Sequence, residues 1–334
     1  MNDEKTLNEK DIFFQDMENC KSPFTHITKE DFNPLLNDID RLFGAADVLS
    51  IENQNKHKLF LLGLAIVGGA IVFFFLLYDE MELYYLIGLC MLLVFVLFGM
   101  DILSNKVDSH RKYLEYRVLA ETLRVQFFLY YAGLEEKVVD IMPWFIREGI
   151  PWIEEILLAL PVVKTGERKS ILDCWIRDQK TYHMDALKRA KADQKTYTNL
   201  TYIAIIFTVF LYAVTLAFEI LMYKYSPGDA NWIFVKLKIL LSMIDANRIR
   251  AYLKIGVGTM STITVIGGSY FGKKSLPNEI EDHERMIALY DKVETEIMES
   301  GEDREQLIYL AREFLTENST WYSYQTQNNP DIVI

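Results

Sequence analysis

The sequence has few cysteines and no excess of positive charge. Its three cysteines, Cys20, Cys90 and Cys174, are widely spaced among 334 residues, which suits neither a disulfide framework nor a zinc knuckle. The 35 Lys and Arg residues are outnumbered by 47 Asp and Glu residues, so the net charge is −12. Binding to nucleic acid needs a basic face that neutralises phosphates. The charge therefore argues against a nucleic-acid partner.

Sequence motifs for catalysis and cofactor binding are also missing. The chain contains no glycine-rich phosphate loop, nucleophile elbow, HExxH motif or kinase signature. The five histidines do not fall at metal-ligand spacing. We therefore expect no enzyme, with no catalytic residues, no cofactor and no metal ion. The first fifty residues lack a basic start followed by a short apolar core, so we also expect no cleavable signal peptide.

Four long uncharged segments are the most informative feature that is present. They occupy residues 59–78, 83–100, 196–218 and 255–272, and at 1.5 Å of helical rise per residue each can cross a hydrocarbon core of about 30 Å. The sequence therefore predicts an all-α polytopic membrane protein with four transmembrane helices. Basic residues flank the first pair but are missing from the turn at 79–82. The positive-inside rule then places both termini in the cytoplasm, with the protein in the cell inner membrane.

The charged regions around these spans define the expected domains. Residues 1–31 are predicted to be an acidic flexible tail, 32–58 an amphipathic pre-membrane helix, 59–103 the first transmembrane hairpin, 104–195 a cytoplasmic helical region or subdomain, 196–272 the second transmembrane pair, and 273–334 cytoplasmic C-terminal helices. No proline or glycine interrupts residues 104–132 or 170–223. Two transmembrane helices, the second and the third, are therefore predicted to continue as long cytoplasmic helices.

Residues 231–250 do not fit easily on either side of the membrane. They combine many apolar residues with Lys236, Lys238 and Arg248, a composition that suits a helix lying in the membrane interface. If the third span crosses fully, this basic segment lies outside, against the positive-inside rule. A longer, tilted fourth helix that starts near Trp232 would relieve the conflict. The sequence leaves the side of the membrane open.

The fourth span is rich in small and hydroxylated residues. Such side chains let helices approach closely and hydrogen-bond to one another, and they also suit a water-lined path. Tight intramolecular packing and pore lining are both open interpretations. The candidate pore-lining residues are Gly258, Thr259, Ser261, Thr262 and Thr264.

Eight polar and aromatic residues outside the spans form a candidate site for ligand binding or coupling. They are Arg117, Glu121, Arg124, Trp175, Gln179, Tyr182, Glu317 and Trp321. Arg117, Glu121 and Arg124 follow one another at i, i+4 and i+7 and therefore share a helix face. One interpretation is a structural seam in which arginines and glutamates neutralise each other. The other is a pocket for an anionic ligand, with arginines for a phosphate and aromatic rings for a base.

Several sequence blocks resemble those of the SLATT-like membrane effectors, a prokaryotic family of four-span proteins. The block at 110–126, HRKYLEYRVLAETLRVQ, resembles the family's signature after the first hairpin, and the block at 175–183, WIRDQKTYH, its second cytoplasmic block. Asp47, before the first span, and residues 311–321 resemble two further blocks. The likeness covers residues 32–322. Two features depart from the family's pattern: an acidic tail replaces the sensing domain that often precedes these blocks, and the stretch after Trp321 lacks the expected basic residues.

This resemblance implies an oligomeric effector that forms a gated pore or disrupts the membrane in anti-phage defence. Its partners would be the lipid bilayer, further copies of itself, and a nucleotide-type signal or a signalling partner protein that activates it. A second hypothesis comes from a different functional class. The protein would then be a non-conducting membrane scaffold or receptor that anchors a soluble partner through its acidic tail and charged helices.

Overall fold

The computed structural model of the chain describes residues 8–29, 32–162, 170–223, 245–273 and 276–327, and these residues form helices and connecting loops without a strand. The helices are α1 (Glu9–Asn19), α2 (Asn37–Met81), α3 (Leu86–Val107), α4 (Ser109–Tyr131), α5 (Val138–Ile141), α6 (Trp144–Gly149), α7 (Pro151–Ala159), α8 (Asp178–Tyr223), α9 (Ala246–Lys273), α10 (Leu276–Ser300) and α11 (Arg304–Gln327). A 3₁₀ turn (Pro34–Leu36) precedes α2, and a π-helical turn (Leu172–Arg177) precedes α8.

Within the described residues, three helical stretches are long and apolar enough to cross a membrane. They are Pro34–Met81, Leu86–Tyr131 and Leu172–Ile220, and they contain most of the first three predicted spans. The prediction of an all-α protein with membrane-spanning helices is confirmed to this extent. The fourth predicted span lies in α9, which is a helix of 28 residues but is not one of the three stretches.

The chain divides into two compact units. Unit 1 contains residues 1–58, 108–190 and 278–334, and unit 2 contains residues 59–107 and 191–277. The α2 and α8 helices supply residues to both units without a break in their helical backbone. This continuity was predicted from the sequence for α8. For α2 it was not, because the pre-membrane helix and the first span were predicted as separate segments.

The core of unit 1 is built around α4. Most residues of this helix are buried on every side, which is the pattern of a helix surrounded by other elements. Its aromatic residues Tyr116, Phe127 and Phe128 are among the largest fully buried side chains, together with Trp152 and Trp175. The amphipathic α11 packs against α4 and contributes Leu307, Leu310 and Leu315 to the same core.

Part of the segment expected to be a flexible tail is an ordered helix. In α1, the Phe13 side chain is fully buried and contacts Tyr116 and Trp152 with ring-centroid distances of 5.3 and 5.7 Å. Asp16 accepts hydrogen bonds from Lys112 and Tyr116, both at 2.7 Å. The structure differs from the expected flexible tail at Glu9–Asn19, because one buried phenylalanine, worth about 2–3 kcal/mol, and a few charge pairs anchor a segment whose average composition is polar.

The predicted continuous helix from the second span into residues 104–132 is broken. Asp108 separates α3 from α4 with φ 51° and ψ 38°, in the left-handed region that aspartate tolerates better than most residues. Its carboxylate pairs with Arg111, and its carbonyl oxygen accepts a hydrogen bond from the Lys112 amide at 3.1 Å. These local bonds stabilise a helix break that proline and glycine signals could not indicate.

Unit 2 contains an antiparallel arrangement in which α9 lies beside both α2 and α8. On the α2 side, Gly258 faces Leu76, and Lys254 forms a 2.9 Å ion pair with Glu80. On the α8 side, Arg250 forms an ion pair with Glu219 at 2.7 Å. Contacts nearer the start of α9 thus involve residues nearer the ends of α2 and α8, which is the order expected for antiparallel helices.

The predicted interfacial segment 231–250 can be located only at its end. Residues 231–244 lie outside the described residues, while Ala246 begins α9. Because Arg250 pairs with Glu219 and Lys254 pairs with Glu80, the ends of α2 and α8 and the start of α9 lie at the same end of unit 2.

Candidate functional site

The structure brings the eight residues of the predicted site together around one face of α4 in unit 1. Arg117, Glu121 and Arg124 share this face of α4, as their spacing predicted. Three other elements supply the rest: the π-helical turn carries Trp175, α8 carries Gln179 and Tyr182, and α11 carries Glu317 and Trp321. We call these eight residues the polar seam.

Glu121 occupies the centre of the polar seam between two arginines. It accepts a hydrogen bond from Arg124 at 2.6 Å, and its other carboxylate oxygen lies 3.8 Å from a guanidinium nitrogen of Arg117. Burial alone would raise the pKa of Glu121, but the two positive charges outweigh burial and lower it. The carboxylate therefore stays ionised and neutralises part of the arginine charge within the protein.

The arginines also make contacts that hold helices together. Arg124 donates a hydrogen bond to the Gln179 side chain at 3.2 Å and lies over the ring of Phe43 at 5.0 Å, which links α4 to α8 and α2. Arg117 lies over the ring of Trp321 on α11 at 5.5 Å and interacts with Tyr182 on α8. Each arginine thus connects α4 to two other elements, which is the kind of contact that the structural interpretation requires.

The two tryptophans of the polar seam lie in different environments. Trp175 stacks on Phe128 with a centroid distance of 4.8 Å and an interplanar angle of 6°, and its side chain is only 1% exposed. Trp321 is half-buried and packs edge-on against Tyr113 at 5.8 Å. Trp175 is therefore a core residue that can couple helices but cannot stack on a ligand, whereas Trp321 is only partly buried.

Glu317 is the residue of the polar seam whose charge changes near neutral pH. Burial raises the pKa of this carboxyl to about 7, and the negative charge of Glu121 acts in the same direction. Arg117 opposes this rise only in part. A small change in the burial of Glu317 or in the charges around it can therefore change its protonation at neutral pH.

We expect the deprotonation of Glu317 to make unit 1 less stable at neutral pH than at acidic pH. Its folded pKa of about 7 lies above the ordinary value of 4.5, so between these values the folded state binds a proton that the unfolded state has released. The stabilisation is complete below pH 4.5 and is lost as the pH rises to about 7. For this half-buried side chain we expect a loss of about 1 kcal/mol after solvent screening. Chemical unfolding of the wild type and Glu317→Gln across this range measures it.

The informative quantity is the difference between the two pH profiles. Burial lowers the pKa of His183 to about 4, which removes stability as the pH falls and so works in the opposite direction in both proteins. Glu305→Gln is a matched control because Glu305 is an exposed carboxylate on the same helix, and it should leave the profile unchanged. An identical pH dependence in the wild type and Glu317→Gln would contradict the prediction.

Two histidines beside the polar seam were missed by sequence reasoning. The Nδ1 atoms of His183 on α8 and His283 on α10 lie 3.0 Å apart, and the His183 ring also packs against Tyr290 at 5.6 Å. Burial lowers the pKa of both histidines, so both imidazoles are neutral near pH 7. One hundred residues separate them in the chain, and no local pattern indicates that they meet.

Three of the five candidate pore-lining residues of α9 contact other helices of unit 2. Thr264 and Ser261 lie within 3.3 Å of the hydroxyls of Thr208 and Tyr212 on α8. Gly258 lies against Leu76 of α2, and Thr262 donates to the Gly258 carbonyl oxygen at 2.9 Å.

Thr259 is the exception among these five residues. Its hydroxyl oxygen is buried and has no hydrogen-bond partner among the described residues. Gly258 thus lies close to α2, and the contacts of Ser261 and Thr264 with α8 place paired hydroxyls along the α8–α9 interface. Close packing and a polar path are compatible in this geometry.

No protein-family model, curated protein sequence or solved structure matches this chain. The resemblance to SLATT-like effectors therefore stays a hypothesis that depends on the sequence blocks alone. What the protein does has to be inferred from the geometry of its two units.

Proposed function

We propose that the protein is a membrane-embedded, oligomeric effector that forms a gated pore or disrupts the membrane when a cytoplasmic signal or partner protein activates it in prokaryotic defence. The observation that carries this proposal is the continuity of α2 and α8, each of which belongs to both units. The sequence resemblance supplies the defence context and a nucleotide-type signal as one class of trigger.

Continuous helices offer a direct route from a signal to the membrane. In unit 1, α8 is held to α10 by the ion pair of Lys180 with Glu294 at 2.8 Å, and the π-helical turn before it by that of Arg177 with Glu294 at 2.7 Å. Gln179 links α8 to α4. A ligand or partner that changes these contacts would rotate or shift α8. Because an α-helix is stiff over this length, the residues of the same helix in unit 2 would move with it.

The proposed membrane domain includes α9 as its fourth transmembrane helix. The 28 residues of α9 extend over about 42 Å, and the helix lies antiparallel to two helices that are apolar enough to span. The hydroxyls of Ser261, Thr262 and Thr264 have partners on α8 or on the backbone of α9, and the charges of Arg250 and Lys254 are paired. Such internal pairing is what a polar helix needs in a bilayer.

The proposed orientation applies the positive-inside rule to the first hairpin, although it places the basic residues at the start of α9, Arg248 and Arg250, outside, against that rule. The end of unit 2 that carries Glu80, Glu219 and Arg250 is placed outside, because the adjacent turn between α2 and α3 lacks basic residues. The N- and C-termini are then cytoplasmic, with the protein in the cell inner membrane. The conducting or disrupted path is proposed to follow the α8–α9 interface, where the hydroxyls are concentrated.

Gly258→Leu should abolish membrane leakage without lowering the amount of protein in the membrane. Even a Cβ atom at this position would lie 2.7 Å from Leu76 Cδ1, so leucine would have to displace the Leu76 side chain and would crowd the contact between α9 and α2. Overpacking of this kind costs about 1–3 kcal/mol, enough to shift a gating equilibrium by about 10–100-fold. Dye release from liposomes, and growth arrest with depolarisation on expression in bacterial cells, are the measurements.

Gly88→Leu on α3 is the matched control. A Cβ atom at Gly88 meets no atom of the described residues within 4 Å, so this variant should leak like the wild type. If neither the wild type nor the control leaks under any activating condition, including lysate from phage-infected cells, the pore proposal fails. Equal leakage by Gly258→Leu and the wild type would instead exclude the α2–α9 contact from gating.

The scaffold hypothesis has less support from the geometry. It assigns partner binding to the acidic tail and the charged helices, but Glu9 and Asp16 of the tail pair with Arg111 and Lys112 of the same chain. Recruitment of a soluble protein that survives Gly258→Leu, together with an unchanged membrane potential, would favour the scaffold.

A further inference from the structure

His183 and His283 face each other across the contact between α8 and α10. Their Nδ1 atoms are 3.0 Å apart, and their rings are inclined by 66°. Neutral imidazole carries a proton on one nitrogen and a lone pair on the other. At this distance the N–H of one ring can donate a hydrogen bond to the lone pair of the other, and two lone pairs in the same positions could instead converge on a cation.

We propose that this histidine pair binds a transition-metal ion such as Zn²⁺ and thereby cross-links α8 to α10. Imidazole nitrogen is a preferred ligand of zinc, copper and nickel rather than of magnesium or calcium. With Zn–N bonds of about 2.0–2.1 Å and tetrahedral angles, two ligand nitrogens lie about 3.4 Å apart. Small side-chain rotations would provide this separation. Both imidazoles are neutral near pH 7, the form that coordinates a metal.

Glu279 is the protein group best placed to complete the site. It precedes His283 by one helical turn and therefore lies on the same face of α10, and its charge acts on His283. Among the described residues, no three His, Cys, Asp or Glu side chains are already grouped so that they could hold a metal. The Glu279 carboxylate, which is exposed, would have to rotate towards the pair, with water in the remaining position.

The surrounding charges limit the affinity without preventing binding. Arg117 and Arg124 act on His183, and Arg117 and Arg189 act on His283. Glu121 opposes the arginines at His183, and Asp282 and Glu279 oppose them at His283. With two imidazoles and one carboxylate of variable position, the site is expected to bind zinc reversibly rather than permanently. Bound zinc would join α10 to α8, the helix that continues into unit 2.

Zinc titration of the full-length, tag-free protein in detergent tests the proposal. After treatment with EDTA, wild-type protein should bind Zn²⁺ with one-to-one stoichiometry by calorimetry. Saturating zinc should raise its Tm by about 5 °C. Substitution of Co²⁺ should give the visible absorption bands of a nitrogen-ligated ion. His183→Gln and His283→Gln should each weaken binding by at least about tenfold, and Glu279→Gln by less.

His26→Gln is the control, because this exposed histidine lies in another part of unit 1 against Asp40. It should bind zinc as the wild type does. Absence of saturable binding in the wild type would overturn the proposal and leave a shared proton between the two nitrogens. Equal affinity in the wild type and both site variants would overturn it as well. These measurements do not involve leakage, so their outcome is independent of the pore proposal.

Discussion

Trp175→Ala should destabilise unit 1 by about 3–5 kcal/mol, the range measured for removal of large aromatic side chains from cores. The indole is almost fully buried, stacks on Phe128, and packs against Phe314 at 5.2 Å. Its loss would leave a cavity where α4, α11 and the start of α8 meet, and packed helices can collapse into such a cavity only in part. Chemical unfolding monitored by circular dichroism in detergent measures the loss.

Trp144→Ala is the matched control for this change. Trp144 also belongs to unit 1, but its side chain is 69% exposed, so its removal should change stability by no more than about 0.5 kcal/mol. If both substitutions lower the free energy of unfolding equally, Trp175 does not lie in the core of unit 1. A Trp175→Ala protein of normal stability that fails only to respond to a signal would restore Trp175 as a ligand contact.

Gly44→Ala should destabilise unit 1 by about 3 kcal/mol, although alanine normally favours a helix over glycine. A Cβ atom on Gly44 would collide with the backbone carbonyl oxygen of Thr25, and it would also lie 3.0 Å from the Cβ atom of Phe24. A backbone atom cannot move aside as the tip of a flexible side chain can. Thermal unfolding of the two proteins side by side measures the difference.

The loop that contains Thr25 has little freedom to retreat from α2. The Thr25 hydroxyl donates to Asp47 at 2.8 Å, and the buried Asp40 accepts the Ile27 amide at 2.8 Å. Gly149→Ala is the control, because a Cβ atom there meets no atom of the described residues within 4 Å. It should be neutral or slightly stabilising. An equally harmless Gly44→Ala would mean that this loop is not held against α2.

The structure favours a mainly structural role for part of the polar seam and leaves the rest accessible. Arg124 is largely buried and contacts Glu121, Gln179 and Phe43. Arg117 and Trp321 are more exposed. Any anionic ligand would therefore have to contact Arg117 rather than Arg124.

The shared face of three residues of the predicted site could be derived from the sequence because helical spacing is a local property. Arg117, Glu121 and Arg124 were placed on one face by their spacing alone, and α4 presents them together. The role of Trp175 was not predictable, because burial depends on Phe128 and on the distant Phe314. The same holds for α1, where Phe13 is buried only because Trp152, far along the chain, lies beside Tyr116.

Hydropathy and the positions of proline and glycine were by themselves enough to determine an all-helical chain with apolar helices that can span a membrane, because these properties depend on neighbouring residues. The tertiary structure decided which helix faces meet. It placed α9 antiparallel to both α2 and α8, broke the helix at Asp108, and brought His183 to His283. Such contacts depend on side chains from distant segments that fit one another in shape and charge, and no local pattern contains that information.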